Sequence, residues 1–253
     1  MLINLVPDFL AVLEAEDRFS AYLEYFERHR ELLTAYWDNY VLEPSGPHFE
    51  EVVRNTVAAD RSDLMALLAN ADLIALAKQT EDKVRMLLDV DVAYDIVLMV
   101  GVGAANAGEL VVNGRGVAFV CLEHFTGVAN PDTQGLGLDP ELIPLWLSHE
   151  ITHVVRYTSP ASRSSMRDIV QDAGGYYSYW ETGRHAALRE LLVNEGLAVQ
   201  VSRAVSPGHA AAWLAVARLA RTSSAAASPP ACRDAATPPR RWELSAHATP
   251  PLP

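Results

Sequence analysis

Through most of the first ninety positions apolar residues recur three and four apart, with charges filling the gaps, and this spacing predicts helices. Residues 21–40, 50–58 and 63–88 each carry it. The breaks fall at Glu43-Pro44-Ser45-Gly46-Pro47 and around Asp60-Arg61-Ser62, where Ser62 is a suitable N-cap. The period then changes. Residues 94–102 are a nearly continuous apolar run broken chiefly by Asp95, the pattern of a buried strand. Residues 109–112 and 116–122 flank Asn113-Gly114, the strongest short hairpin signal, so a β-hairpin is expected there.

Helical spacing returns over 145–157, with no Gly or Pro inside it, and again from about 185 to 204, closed by Ser206-Pro207-Gly208. Asp139-Pro140 reads as an N-cap with Pro at the first helical position. Pro144 complicates this start, because an interior proline loses a backbone bond and clashes with the preceding turn. Either the helix kinks there or it starts anew. The order of helices, a few strands, then helices predicts an α+β fold, mainly helical, with a small sheet beside the helix at 145–157. We divide the chain into a helical region at 1–90, a mixed domain at 91–221 and a tail at 222–253. The tail holds seven of the fifteen prolines and eight alanines but almost no large aliphatics. Such a segment buries too little apolar surface to offset its ordering entropy, and disorder is expected.

Composition narrows the setting. Of 253 residues half are hydrophobic, enough for a sizeable core. The net charge of −12 argues against nucleic acid or an anionic membrane as partner. The N-terminus is apolar but has no basic region, and the run at 96–102 is too short to span a bilayer as a helix. Two cysteines, Cys121 and Cys232, make no disulfide framework. A soluble, cytoplasmic protein is expected.

The chemistry concentrates at His149-Glu150-Ile151-Thr152-His153, an HExxH box. On a helix two histidines four apart lie on one face, one above the other, so both imidazoles reach a single metal ion. Glu150 lies about 100° round the helix from His149. Its carboxylate can therefore act on a water at the metal without being a ligand. This pattern reads as two zinc ligands plus a general base.

A catalytic zinc site needs a third protein ligand, leaving the fourth position for water. Glu195 is the candidate, in Leu191-Leu192-Val193-Asn194-Glu195-Gly196-Leu197-Ala198. Leu188, Leu191, Leu192, Ala198 and Val199 surround it at helical spacing, which predicts an inward-facing acid. A buried lone carboxylate is costly unless paired or metal-bound. The alternative is a salt bridge to an arginine such as Arg156 or Arg189. Asp168 and Asp172 sit in a polar stretch, and Glu190 points away from the stripe. Tyr176 and Tyr177 fall between the two ligand helices, where a phenol could stabilise an oxyanion. Glu123-His124, at a strand end without a third partner, reads as an ordinary surface pair. No GxSxG, GxGxxG or Walker A sequence is present.

Together, Leu147-Ser148-His149-Glu150-Ile151-Thr152-His153-Val154-Val155-Arg156 and the segment around Glu195 resemble the gluzincin metallopeptidases. More closely they resemble the bacterial DUF2268 family of predicted zinc-dependent proteases, over about residues 90–215. The resemblance implies a zincin-like domain holding one zinc ion through His149, His153 and Glu195, with Glu150 as base and a peptide or protein as substrate. The segment at 116–122, if it is the sheet edge, would hold that substrate extended by backbone pairing. Val199 stands four residues after Glu195, so the second-shell carboxylate of thermolysin-like enzymes is missing at that place. Two other readings remain open: a non-catalytic zinc-binding domain for regulation or partner binding, and a metal-dependent hydrolase of a non-peptide amide.

Overall fold

The chain's first residues pair with a strand nearly a hundred positions away. In the structure, a computed structural model describing residues 1–41 and 44–209, β1 (Leu2–Asn4) runs parallel to β2 (Tyr94–Met99). β2 in turn runs parallel to β4 (Arg115–Cys121), and β4 is antiparallel to β3 (Ala107–Val112). The resulting order is β1-β2-β4-β3. The fold is α+β, a four-stranded sheet within a mainly helical chain. Expectations for residues 222–253 fall outside the described residues.

Helices α1 (Val6–Glu14), α2 (Arg18–Arg28), α3 (Arg30–Tyr36), α4 (Gly46–Ala58), α5 (Ser62–Asn70) and α6 (Leu73–Leu88) precede β2. α1 lies within the helical region but before the first of the three spans that the spacing marked. The helix expected over 63–88 is two, divided at Ala71-Asp72, where Asp72 caps α6 by accepting from the Ala75 amide. A π-helical turn, Trp37–Val41, extends α3. After β4 come α7 (Ile143–Thr158), α8 (Ser165–Asp172), α9 (Tyr179–His185) and α10 (Leu188–Val205). Of the two starts open for the HExxH helix, the second holds. A 3₁₀ turn capped by Asp139 ends at Leu142, and α7 begins with Pro144 in its first turn, where no intrahelical donor is lost.

The asparagine-glycine turn forms where the pattern placed it, with both residues at positive φ. β4 is buried from Gly116 to Cys121. This explains its unbroken apolar sequence, since both faces are covered. On one face Phe119 meets the rings of Tyr36 and Tyr40, with centroids 5.5 and 5.1 Å away. On the other lies α7. A Cβ at Gly116 would come within 2.2 Å of Val154 Cγ1, so the bare glycine lets the helix settle onto the strand.

The expectation that 116–122 forms a sheet edge is overturned, because β4 is flanked by β2 and β3. The edge next to the α7 helix is β3, and its outward backbone groups are in use. The Tyr40 hydroxyl accepts from the Glu109 N–H at 3.0 Å and donates toward the Glu109 carbonyl at 3.0 Å. The Tyr177 N–H donates to the Val111 carbonyl at 3.1 Å. A Cβ at Gly108 would lie 2.4 Å from the Tyr40 hydroxyl, so this crossing of the edge also depends on a glycine.

Candidate metal centre

α7 is buried along most of its length and presents His149, Glu150 and His153 toward β3 and α10. The helical repeat stacks the two imidazoles, and their Nε2 atoms lie 2.9 Å apart. From α10, Glu195 Oε2 lies 3.3 Å from His149 Nε2 and Glu195 Oε1 lies 3.5 Å from His153 Nε2. A tetrahedral ion with bonds of about 2.0–2.2 Å holds its ligands roughly 3.3–3.5 Å from one another. The two carboxylate–imidazole distances match that spacing, while the two Nε2 atoms stand closer, at 2.9 Å; among the described residues these three side chains are the group that could hold a metal ion. The donor set, two imidazoles and one carboxylate, fits such an ion.

The charge states agree with this. Burial lowers the His149 pKa, partly offset by hydrogen bonding to Glu195, so the ring stays neutral and able to coordinate. Burial alone would raise Glu195, but the two histidines outweigh it and hold the carboxyl below its ordinary range. Glu150 is different. Burial, then the charge of Glu109 and a hydrogen bond with it, push its carboxyl well above the ordinary value. The proposed base therefore meets a second acid, from β3, that sequence reading passed over. Glu109 stands opposite Ala118 on the sheet, two strand positions from Gly116, and so shares the face that carries α7.

Glu109 gathers phenols. Its Oε1 accepts from the Tyr157 hydroxyl at 3.3 Å, and its Oε2 lies 3.2 Å from the Tyr40 hydroxyl. The Tyr157 ring stacks on the His153 imidazole, with centroids 6.0 Å apart and planes 15° apart. It stacks again on Tyr177, at 5.1 Å. Tyr157 was legible only as one more apolar position of α7, one turn after His153. The Tyr157 and Glu109 contacts join residues 48 apart in sequence, and no local pattern carried them.

The two tyrosines singled out between the ligand helices part company. Tyr177 is buried beside Tyr157 and lines a cavity next to Glu195. Tyr176 is half exposed, its hydroxyl bonded to Asn113 at the hairpin turn, and it does not line that cavity.

Glu195 reaches the histidines, but not from the apolar stripe that pointed to it. Leu188 and Leu192 are 72% and 65% exposed. The buried face of α10 is Asn194, Ala198, Ser202 and Val205. Small residues there let α10 approach α7 closely, and polar bonds set its rotation. Arg156 Nε donates to Asn194 Oδ1 at 3.1 Å, and Arg156 Nη2 donates to Glu190 at 2.5 Å. The arginine weighed as a partner for Glu195 is thus engaged by Glu190, and Glu195, expected to face inward, is 61% exposed with its carboxylate turned to the imidazoles.

Glu123 and His124 are buried, each 2% exposed, and not a surface pair. Glu123 accepts from the Gly101 and Gly103 amides at 2.9 and 3.2 Å, pinning the loop after β2. Neither ring nitrogen of His124 has a hydrogen-bond partner among the described residues, and burial followed by the charge of Arg61 lowers its pKa to about 4.

Among the described residues no helix is long and apolar enough to cross a membrane. Compared with family models, with curated proteins and with solved structures, the chain matches none.

Proposed function

We propose that the chain is a zinc-dependent metallopeptidase of the gluzincin type. His149, His153 and Glu195 hold one zinc ion and Glu150 serves as general base. One observation carries the reading: a histidine pair and a carboxylate from a second helix bring their ligand atoms within 4.8 Å of one another, beside a glutamate in the position that an HExxH box reserves for the base. The sequence resemblance of the same two motifs to DUF2268 points the same way. Zinc bound there would lower the pKa of a water toward neutrality and polarise a scissile carbonyl.

The chain's own residues divide the remaining work. Glu150 stands in the position from which the glutamate of an HExxH box takes the proton of a water and returns it to a leaving amine. Tyr177, within the cavity, is the better placed of the two tyrosines to donate to an oxyanion. Tyr157 orients His153 by stacking on it.

A second reading, a zinc-binding domain without peptidase activity, is favoured by one feature. The Glu150 carboxyl is buried against Glu109, and the adjacent sheet edge is covered by Tyr40 and Tyr177. Zinc content together with cleavage of a broad peptide library, on the wild-type chain and Glu150→Gln, separates the two. The peptidase reading expects one zinc per chain in both proteins, and a fall in turnover of at least ~10²-fold in the variant. Bound zinc with no peptide cleaved by the wild type leaves the second reading. A Glu150→Gln protein that loses its zinc makes Glu150 a ligand and overturns the assignment of roles.

A further inference from the structure

A cavity of about 560 Å³ opens beside the metal triad, within the roughly 300–1,000 Å³ range of small-molecule sites. Glu195 forms part of its wall, so an occupant lies next to whatever the triad holds. Much of the remaining wall comes from a hydrophobic cluster in which Tyr157, Met166 and Tyr177 pack together with Leu191 against them. The Leu191 and Tyr179 side chains complete the apolar lining.

Three polar groups of the lining, Asn194, Tyr157 and Glu109, are already engaged. Asn194 Nδ2 donates to the Tyr157 hydroxyl at 2.9 Å, and that hydroxyl donates to Glu109. The second Glu109 oxygen lies against the Tyr40 hydroxyl. Arg184, also in the lining, brings a positive charge opposite in sign to Glu109. An occupant that bonded to these three groups would have to displace existing bonds, whereas an apolar one gains by leaving water.

We propose that this cavity is the specificity subsite of the proposed peptidase, taking a large apolar side chain, aromatic above all, next to the bond that is cut. The stacked Tyr157 and Tyr177 rings offer it aromatic faces, and the Met166 thioether adapts to its edge. The proposal rests on the metal-site reading and is tested so that the two can fail separately.

The full-length zinc-loaded chain is titrated with the hydroxamates of phenylalanine, lysine and glycine. The phenylalanine probe should bind about tenfold or more tightly than the glycine probe, the scale expected for burying a phenyl ring. Gly183→Phe and Leu191→Phe should each remove most of that difference and leave the glycine probe unchanged. Gly183 lines the cavity, and a Cβ there meets nothing within 4 Å, so this variant does not depend on repacking the core. Equal affinities, a tighter lysine probe, or an unchanged preference in the folded Gly183→Phe protein would each overturn the subsite. A chain that takes up no zinc sinks the metal-site reading instead. The subsite is then read on the zinc-free chain, from the Met166 methyl resonance during titration with N-acetyl-phenylalaninamide and N-acetyl-glycinamide. A shift with the aromatic amide alone sustains the subsite, and no shift with either overturns it.

Discussion

Asn194 donates to the Tyr157 hydroxyl at 2.9 Å, and this bond ties α10 to α7 one residue before Glu195. Both partners are buried. The bond fixes how α10 is rotated about its axis, and thereby which way the next side chain leaves it. Asn194→Leu keeps all three donor groups but should loosen their geometry. Zinc affinity should fall about 10–100-fold, the range seen when groups that orient metal ligands are removed. Competition against a chromophoric chelator measures it, and an unchanged affinity would show that the rotation of α10 is set elsewhere.

Zinc should stabilise the fold by mass action. With free zinc at about 100 times its dissociation constant the gain is roughly 2.7 kcal/mol, which raises the melting temperature by several degrees in a chain of this size. Addition of EDTA should reverse it. His149→Ala and Glu195→Ala should each weaken or abolish the response, since each removes one of three ligands. A melting curve indifferent to zinc in the wild type is the outcome that contradicts a metal centre.

His124 should make the fold acid-sensitive. Its pKa in the folded chain, about 4, lies below the ordinary histidine value of 6.5. The unfolded chain therefore takes up the proton first as pH falls. Stability is intact above pH 6.5, is lost progressively between 6.5 and about 4, and loses no more from this group below that. The loss is on the order of 3 kcal/mol at most. His124→Leu should flatten this limb relative to wild type. It should also raise stability at pH 7 by about 1 kcal/mol, because a buried ring without hydrogen-bond partners is replaced by an apolar group. Parallel pH profiles for the two proteins would rule out the assignment.

Gly116→Ala tests the contact between sheet and helix. The added methyl must displace Val154, and with it the part of α7 that follows His153. The expected cost is about 1–3 kcal/mol in denaturant unfolding, accompanied by weaker zinc binding. Gly183→Ala is the control, in open space on a helix, and should be neutral or slightly stabilising.

The HExxH pair was legible because its geometry is local: once residues 143–158 are helical, His149 and His153 must share a face. The hairpin was legible for the same reason, since Asn113 and Gly114 accept the positive φ that its turn demands. Glu195 does reach the two histidines, though the signal that pointed to it misled. Periodicity marked Leu188 and Leu192 as buried, but the packed face of α10 follows Asn194, Ala198 and Ser202. A sequence records which positions of a helix are apolar. It does not record that small residues bring two helices close, or that a buried asparagine then fixes their rotation.

Long-range pairing was decided by tertiary structure alone. That β4 lies inside the sheet follows from β1 and β2 running parallel beside it, and parallel neighbours leave no turn signal between them. Glu109 stood in the sequence as a polar position of an ordinary hairpin. Only when the strand is laid under α7 does it meet Glu150, Tyr157 and Tyr40. The sequence by itself determined the donor groups and their placement on one helix. The tertiary structure decided which third acid joins them and which acid faces the proposed base, because both depend on how separate elements are rotated and stacked, and that is settled by side-chain packing over distances no local pattern spans.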